Sequence, residues 1–283
     1  MTIVKSAETC EAPVPEKTST FSDLVVGEAV LIQKLLLPRE PLREPNLEVT
    51  YLMRTFAEVG GDFLDYFLLS DGKLGIYLGD VVGKGLPAAM YGALAAGGMR
   101  AIHKTGQEPS AVLELFNRRL RVRPIPSRYC ATQYAVYDPA TLEIRFANAG
   151  LPLPLHLSSD GCCTIGDGGL PSGLFDSATY DQYTIRLSPG DAVLFTTDGL
   201  SEAKGRDGDP LDMHRLIDLC AMLDYSSSDV FLRSVFDSIE EFTGGNPSDD
   251  MTAAILKVPE DAQPAEKTAP QIGEWKINEE SFE

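Results

Sequence analysis

Short apolar runs, many alternating with polar residues, dominate the middle of this chain. They predict strands over residues 48–56, 63–69, 73–79, 131–137, 142–148, 183–187, 191–197 and 252–258, many bounded by Gly, Asp or Pro. Ser70-Asp71-Gly72 and Asp138-Pro139 are turn signals between such runs, which favours antiparallel hairpins. Helical spacing instead predicts helices over 87–103, 110–121, 213–223 and 227–243, with Pro87 in a first turn and Ser110 and Ser227 as caps. A further helix is expected over 22–37, capped by Ser22 or Asp23 and ended by Pro38. Its stripe of Val25, Ala29, Ile32 and Leu36 serves either packing on its own domain or a dimerising, signal-transmitting contact. Strands and helices arrive in blocks, which indicates α+β layers rather than a Rossmann-type parallel sheet.

These elements divide the 283 residues into four parts. Residues 1–21, rich in Pro, Thr, Ser and Glu, are expected to be disordered. Residues 22–46 hold the linker helix and a Pro-rich connector, REPLREPN. The main domain spans 47–258, and 259–283 is an acidic tail with a short stretch around Trp275 that could dock or stay mobile.

Charge narrows the partners. The net charge is −18, and residues 23–258 still carry −12 without the two ends. Nucleic acid and anionic lipid are therefore disfavoured. The acidity serves either solubility or a site whose charge is offset by cations. No apolar run approaches the ~20 residues that span a bilayer, and the N-terminus lacks a basic segment followed by an apolar stretch, so a cytoplasmic protein is expected. Cys10, Cys130, Cys162, Cys163 and Cys220 form no CxxC pair, which argues against a Cys-rich zinc site.

Candidate chemistry lies in four segments that each place an aspartate where a strand meets a turn: Gly60-Gly61-Asp62-Phe63, Gly79-Asp80-Val81-Val82-Gly83-Lys84-Gly85, Thr196-Thr197-Asp198-Gly199-Leu200, and Pro247-Ser248-Asp249-Asp250-Met251-Thr252. One Asp-Gly after a strand is usually only a turn. Converging carboxylates, however, raise one another's pKa, and hard divalent cations remove that penalty. Oxygen ligation without Cys or His suits Mg²⁺ or Mn²⁺ over zinc.

The ordered runs EVGGDFLDYF, LGIYLGDVVGKGLPAAM, ANAG, LFTTDGLSEA and PSDDMTAAIL resemble the bacterial PPM phosphatases of the SpoIIE- and RsbU-like branch of the PP2C superfamily. The resemblance covers Leu47–Val258, and VLIQKLLLPREPL is similar to the helical linker that often precedes this domain. It implies a four-layer α-β-β-α sandwich, two antiparallel sheets flanked by helices. It also implies a metal-dependent protein serine/threonine phosphatase that uses two divalent cations, Mn²⁺ or Mg²⁺. In that pattern Asp62 is a ligand of the second metal. Asp80 bridges both metals, Val81 offers its backbone carbonyl, and Asp198 and Asp249 hold the first metal. Asp250 is the alternative to Asp249. Asp80 and Asp198 are the residues on which catalysis, by a metal-bridging hydroxide, would depend.

The usual substrate in the family is a phosphorylated STAS-domain antagonist of an anti-sigma kinase, in partner-switching stress signalling. The segment Leu86–His103, rich in Ala and Gly, corresponds to the helix that links activity to regulation, and the 22–37 helix could form a homodimer. The competing reading is a catalytically inactive module of the same fold that binds a regulatory partner; the intact aspartates argue against it.

Departures and false friends are few. The family often has His after ANAG where this chain has Leu151, which implies altered packing or substrate contact. His103, His156 and His214 are scattered and read as surface or packing residues. GGDF lacks the Glu of a GGDEF signature, and GDVVGKG lacks the hydroxyl residue of a P-loop. Asp207-Gly208-Asp209 reads as a turn rather than a calcium loop.

Overall fold

The computed structural model describes residues 21–102 and 108–264. The expected disorder of 1–20, the docking of Trp275, and the surroundings of Cys10 and His103 lie outside the described residues. Helix α1 (Phe21–Leu36) leads into β1 (Leu42–Glu44), β2 (Leu47–Arg54), β3 (Phe63–Leu68) and β4 (Leu74–Val81). Helices α2 (Gly85–Ile102) and α3 (Pro109–Val122) follow, then β5 (Cys130–Asp138), β6 (Glu143–Ala149), β7 (Leu155–Ser158), β8 (Gly161–Thr164), β9 (Gln182–Arg186) and β10 (Ala192–Thr196). Helices α4 (Asp198–Ser201), α5 (Asp212–Met222) and α6 (Ser228–Thr243) precede the last strand, β11 (Met251–Lys257).

Two antiparallel sheets result, one ordered β1-β2-β11-β10-β7-β8 and the other β3-β4-β5-β6-β9. Leu47, Val49, Leu64, Ile76, Phe146 and Phe195 belong to the core between them. The outer face of the five-stranded sheet is covered by Ala95, Met99, Leu113 and Phe116 of α2 and α3. Leu216, Phe231, Val235 and Ile239 of α5 and α6 cover the other sheet. The expected four-layer sandwich is what forms. It also explains why β10 and β11 are buried at every position. A strand with a sheet on one face and helices on the other has no wet side, so its sequence is mostly apolar instead of alternating.

All eight expected strands exist. The hairpin signals also hold: β3 pairs with β4 around Gly72 at φ +82°, and β5 pairs with β6. Three strands were not foreseen. β1 lies within the supposed connector and pairs with β2, while β7 and β8 form a short hairpin at the sheet edge. β8, GCCT, is largely exposed and too short to display a period. Ser110 is not a cap: α3 starts at Pro109, after Glu108. Ser22 and Asp23 lie inside α1, which starts at Phe21. The packed unit also runs past Val258, because Ala262 is buried and the Asn46 side-chain amide donates to Pro139 O and Gln263 O.

Of the stripe expected on α1, Ala29, Ile32 and Leu36 line a cavity shared with α2, so the helix lies against its own domain. Val25 and Ile32 are 41% and 58% exposed. Val30 and Gln33 of α1, with Leu37 just beyond it, line a second cavity beside β2. Leu151, where the resemblance has His, is buried in the inter-sheet core, and the Asn148 side chain brackets it by accepting from Leu151 N–H and donating to Leu151 O. The departure is one of packing. No described helix is long and apolar enough to cross a membrane.

Candidate metal centre

Antiparallel topology gathers the four motifs at one end of the sandwich. Phe63 pairs with Gly79, so Asp62, just before β3, adjoins Asp80, near the end of β4. Thr196 pairs with Ala253, so Asp198, just after β10, adjoins Asp249 and Asp250, just before β11. One pair comes from each sheet.

Each carboxylate is held differently. Asp62 is almost fully buried, and its Oδ2 accepts from Thr197 Oγ1 at 3.0 Å and Thr252 Oγ1 at 2.5 Å. Its Oδ1 is buried with no donor. Burial, then the adjacent Asp80, raise its pKa well above the ordinary carboxylate range. Asp80 is pushed up to about 7, by burial first and by Asp198 next, while the neighbouring Asp62 acts the other way. Asp198, the first residue of α4, rises to about 6 through burial and then Glu202 and Asp249. The Val81 carbonyl, at the end of β4, faces the Gly61 backbone beside Asp62, 3.0 Å from where a Cβ on Gly61 would stand.

The two acids of the last motif part company. Asp250 is buried, its Oδ1 accepting from Phe56 N–H at 2.7 Å and its Oδ2 from Gly61 N–H at 2.8 Å. It staples the Gly60-Gly61-Asp62 segment to β11. Asp249 has a side chain 40% exposed and pairs with Lys84 Nζ at 2.8 Å. Lys84 also donates to Ser248 O and lies over the Phe56 ring.

The donor set fits a hard divalent cation: it is all oxygen, it includes an orphaned buried carboxylate oxygen, and Asp62, Asp80 and Asp198 have raised pKa values that nearby positive charge would lower. Among the described residues, no three His, Cys, Asp or Glu side chains already converge as a finished ligand set. The Lys84 pairing turns Asp249 aside, and the backbone bonds occupy Asp250. His156 pairs with Asp191 at 3.0 Å on β7, and His214 is exposed on α5. Asp207-Gly208-Asp209 is a turn with Gly208 at φ +87°.

The motifs contained further contributors that were not singled out. Thr197 and Thr252 orient Asp62 and stand next to the aspartates in TTDGL and SDDMT, so their hydroxyls were a readable signal. Lys84 was visible in GDVVGKG, but its pairing with Asp249 across the fold was not.

A pH dependence follows. Asp62, Asp80 and Asp198 have folded pKa values above their unfolded ones, so the folded state binds more protons between these values. Stability is fully present below about pH 4 for these groups and is lost as pH rises through about 6 for Asp198 and about 7 for Asp80. In chelator, the melting temperature is expected to fall from pH 5 to pH 8. With millimolar Mn²⁺ the slope flattens, because the cation takes over the proton's role. Parallel melts read both.

Comparison with known proteins finds relatives in sequence and in fold. The family described as stage II sporulation protein E (SpoIIE) matches residues 70–259. Phosphoserine phosphatase RsbU of Bacillus subtilis is 25% identical over 235 residues, 81% of this chain and 68% of its own. The RsbU and RsbW domains of a Mycobacterium tuberculosis protein superpose with TM-score 0.68 at 26% identity, over 79% of this chain and 62% of theirs. The SiaA PP2C domain of Pseudomonas aeruginosa shares the fold, with TM-score 0.73 at 22% identity over 82% of this chain and 94% of its own.

Proposed function

The chain belongs to the SpoIIE family, and from that membership we propose that it is a metal-dependent protein serine/threonine phosphatase of PP2C fold. The observation that carries the reading is that antiparallel pairing brings the four aspartate motifs from both sheets to one end of the sandwich, where burial and neighbouring acids raise the pKa of Asp62, Asp80 and Asp198. Asp62, Asp80, Asp198, Asp249 and the Val81 carbonyl would hold two Mn²⁺ or Mg²⁺ ions. Asp249 is preferred to Asp250, whose oxygens already serve two backbone N–H groups. When bound, such cations lower the pKa of water and offset charge growing on a phosphoryl group.

The protein's own residues do the positioning. Thr197 and Thr252 fix Asp62, and Asp250 fixes the backbone that carries it. Asp80 stands between the two sheets' contributions, where its carboxylate can hold a proton or a cation against both neighbours. Lys84 and Arg128 lie at the rim. Lys84 pairs with Asp249, and Arg128 donates to Val82 O at 2.5 Å. Both can attract a phosphorylated side chain to an otherwise acidic protein.

The substrate class is drawn from the relatives. RsbU carries the name phosphoserine phosphatase, and the Mycobacterium tuberculosis structure joins an RsbU to an RsbW domain. A phosphorylated STAS-like regulatory protein in a partner-switching pathway is the proposed substrate. The test is release of phosphate from phosphoserine STAS proteins with Mn²⁺, against the same reaction in chelator. Turnover that chelator abolishes is expected. No release from any phosphoprotein, together with tight binding of one, would favour the inactive binding module.

A further inference from the structure

The geometry points to Gln33, on α1, as a positioning residue for Asp62. This rests on the reading of Asp62 as a metal ligand. Gln33 Nε2 donates to Gly60 O at 2.8 Å, and Gly60 N–H donates to Gln33 Oε1 at 3.2 Å. One side-chain amide thus satisfies both backbone groups of a single residue, as a neighbouring strand would. The next residue, Gly61, gives its N–H to Asp250, and Asp62 follows.

The need for such a clamp is local. Two consecutive glycines precede Asp62, and glycine has the widest backbone freedom of any residue. Nothing in the segment itself fixes where the Asp62 carboxylate points. Gly60 is pressed between its two holders: a Cβ there would stand 2.3 Å from Asp250 Oδ2. Side-chain bulk cannot stiffen this position, so hydrogen bonds from outside must.

Helix α1 is suited to transmit rather than merely cover. Cavities of about 460 and 230 Å³ flank it, and Gln33 and Leu37 line both. Asp62 lines the smaller one. Apolar packing beside Gln33 is therefore thin, and the amide is the direct link to the aspartate segment. The C-terminal end of α1 has its own tether, Arg100 Nη2 donating to Leu36 O at 2.5 Å while Arg100 also pairs with Asp65. Loss of the Gln33 amide thus leaves α1 attached at its end while the Gly60 segment is released.

The experiment uses the full chain, with Gln33→Met to remove both bonds at similar length and Gln33→Glu to keep an acceptor for Gly60 N–H while losing the donor. Amide hydrogen exchange and calorimetric Mn²⁺ titration are the readouts, with kcat and KM on a phosphoprotein alongside. Gln33→Met should speed exchange at Gly60 and Gly61 and weaken Mn²⁺ binding by roughly 3–30-fold, the worth of one or two hydrogen bonds. It should lower kcat at saturating substrate with KM little changed, and Gln33→Glu should fall between. Faster exchange with wild-type Mn²⁺ affinity and kcat overturns the inference and leaves the phosphatase reading standing. A wild-type chain that binds no Mn²⁺ overturns both. If exchange rises along all of α1 in Gln33→Met, the helix has detached, and Gln33→Glu decides: intermediate Mn²⁺ affinity supports the inference and wild-type affinity overturns it.

Discussion

Asp80→Asn is expected to abolish phosphoprotein hydrolysis while making the cation-free protein more stable above pH 7. The carboxylate lies beside Asp62 of the adjacent strand and Asp198 of the other sheet, and its pKa of about 7 reflects how poorly this end of the fold tolerates its charge. Asparagine keeps the shape and removes the charge. Without cations, that relieves burial and repulsion that an ionised Asp80 suffers as pH rises past its folded pKa. With cations, the same change removes the group that would lie between them, and the loss should reach ~10²–10³-fold or more in kcat, as when a main electrostatic stabiliser is deleted. Melting curves in chelator at pH 8 and steady-state rates in Mn²⁺ check the two halves. Opposite signs separate a site defect from unfolding. Retained activity would remove Asp80 from the centre and with it the two-metal reading.

Gly199→Ala should unfold or severely loosen the site from a different direction. A Cβ at residue 199 would stand 1.9 Å from Asp250 O, a backbone atom of the neighbouring β11 lead-in. Backbone cannot swing aside as a side-chain tip does. Either the start of α4, with Asp198, or the segment carrying Asp249 and Asp250 must shift. Overpacking of this kind costs ~1–3 kcal/mol, and more where the obstacle is rigid. Urea unfolding should show a lower midpoint, and activity should fall further than the residual folded fraction explains, because both moving segments carry proposed ligands. Gly208→Ala is the control: Gly208 has a positive φ but open space, so the loss there is confined to local strain.

How much was legible follows the range of each interaction. The eight long strands and the four domain helices were readable because period and turn residues are local signals. β1, β7 and β8 were not, since short edge strands exist by virtue of a partner and carry little pattern of their own. On α1, the apolar stripe marked the side that meets α2, yet it is polar Gln33 that makes the bond to Gly60. Periodicity records which residues dislike water, not which hydrogen bond a distant backbone requires.

The chemistry divides the same way. By itself the sequence determined the layered α+β fold, the family resemblance, and the four aspartate motifs, because these depend on residue type and order. Only the tertiary structure decided that Asp250 is spent on Phe56 and Gly61 while Asp249 faces Lys84, a distinction between adjacent and identical side chains. It alone raised the pKa of Asp80 and Asp198, since burial and repulsion arise only when antiparallel pairing brings strands from two sheets to one end. Composition supplies the charges; the distances between them, which set their energies, come from the fold.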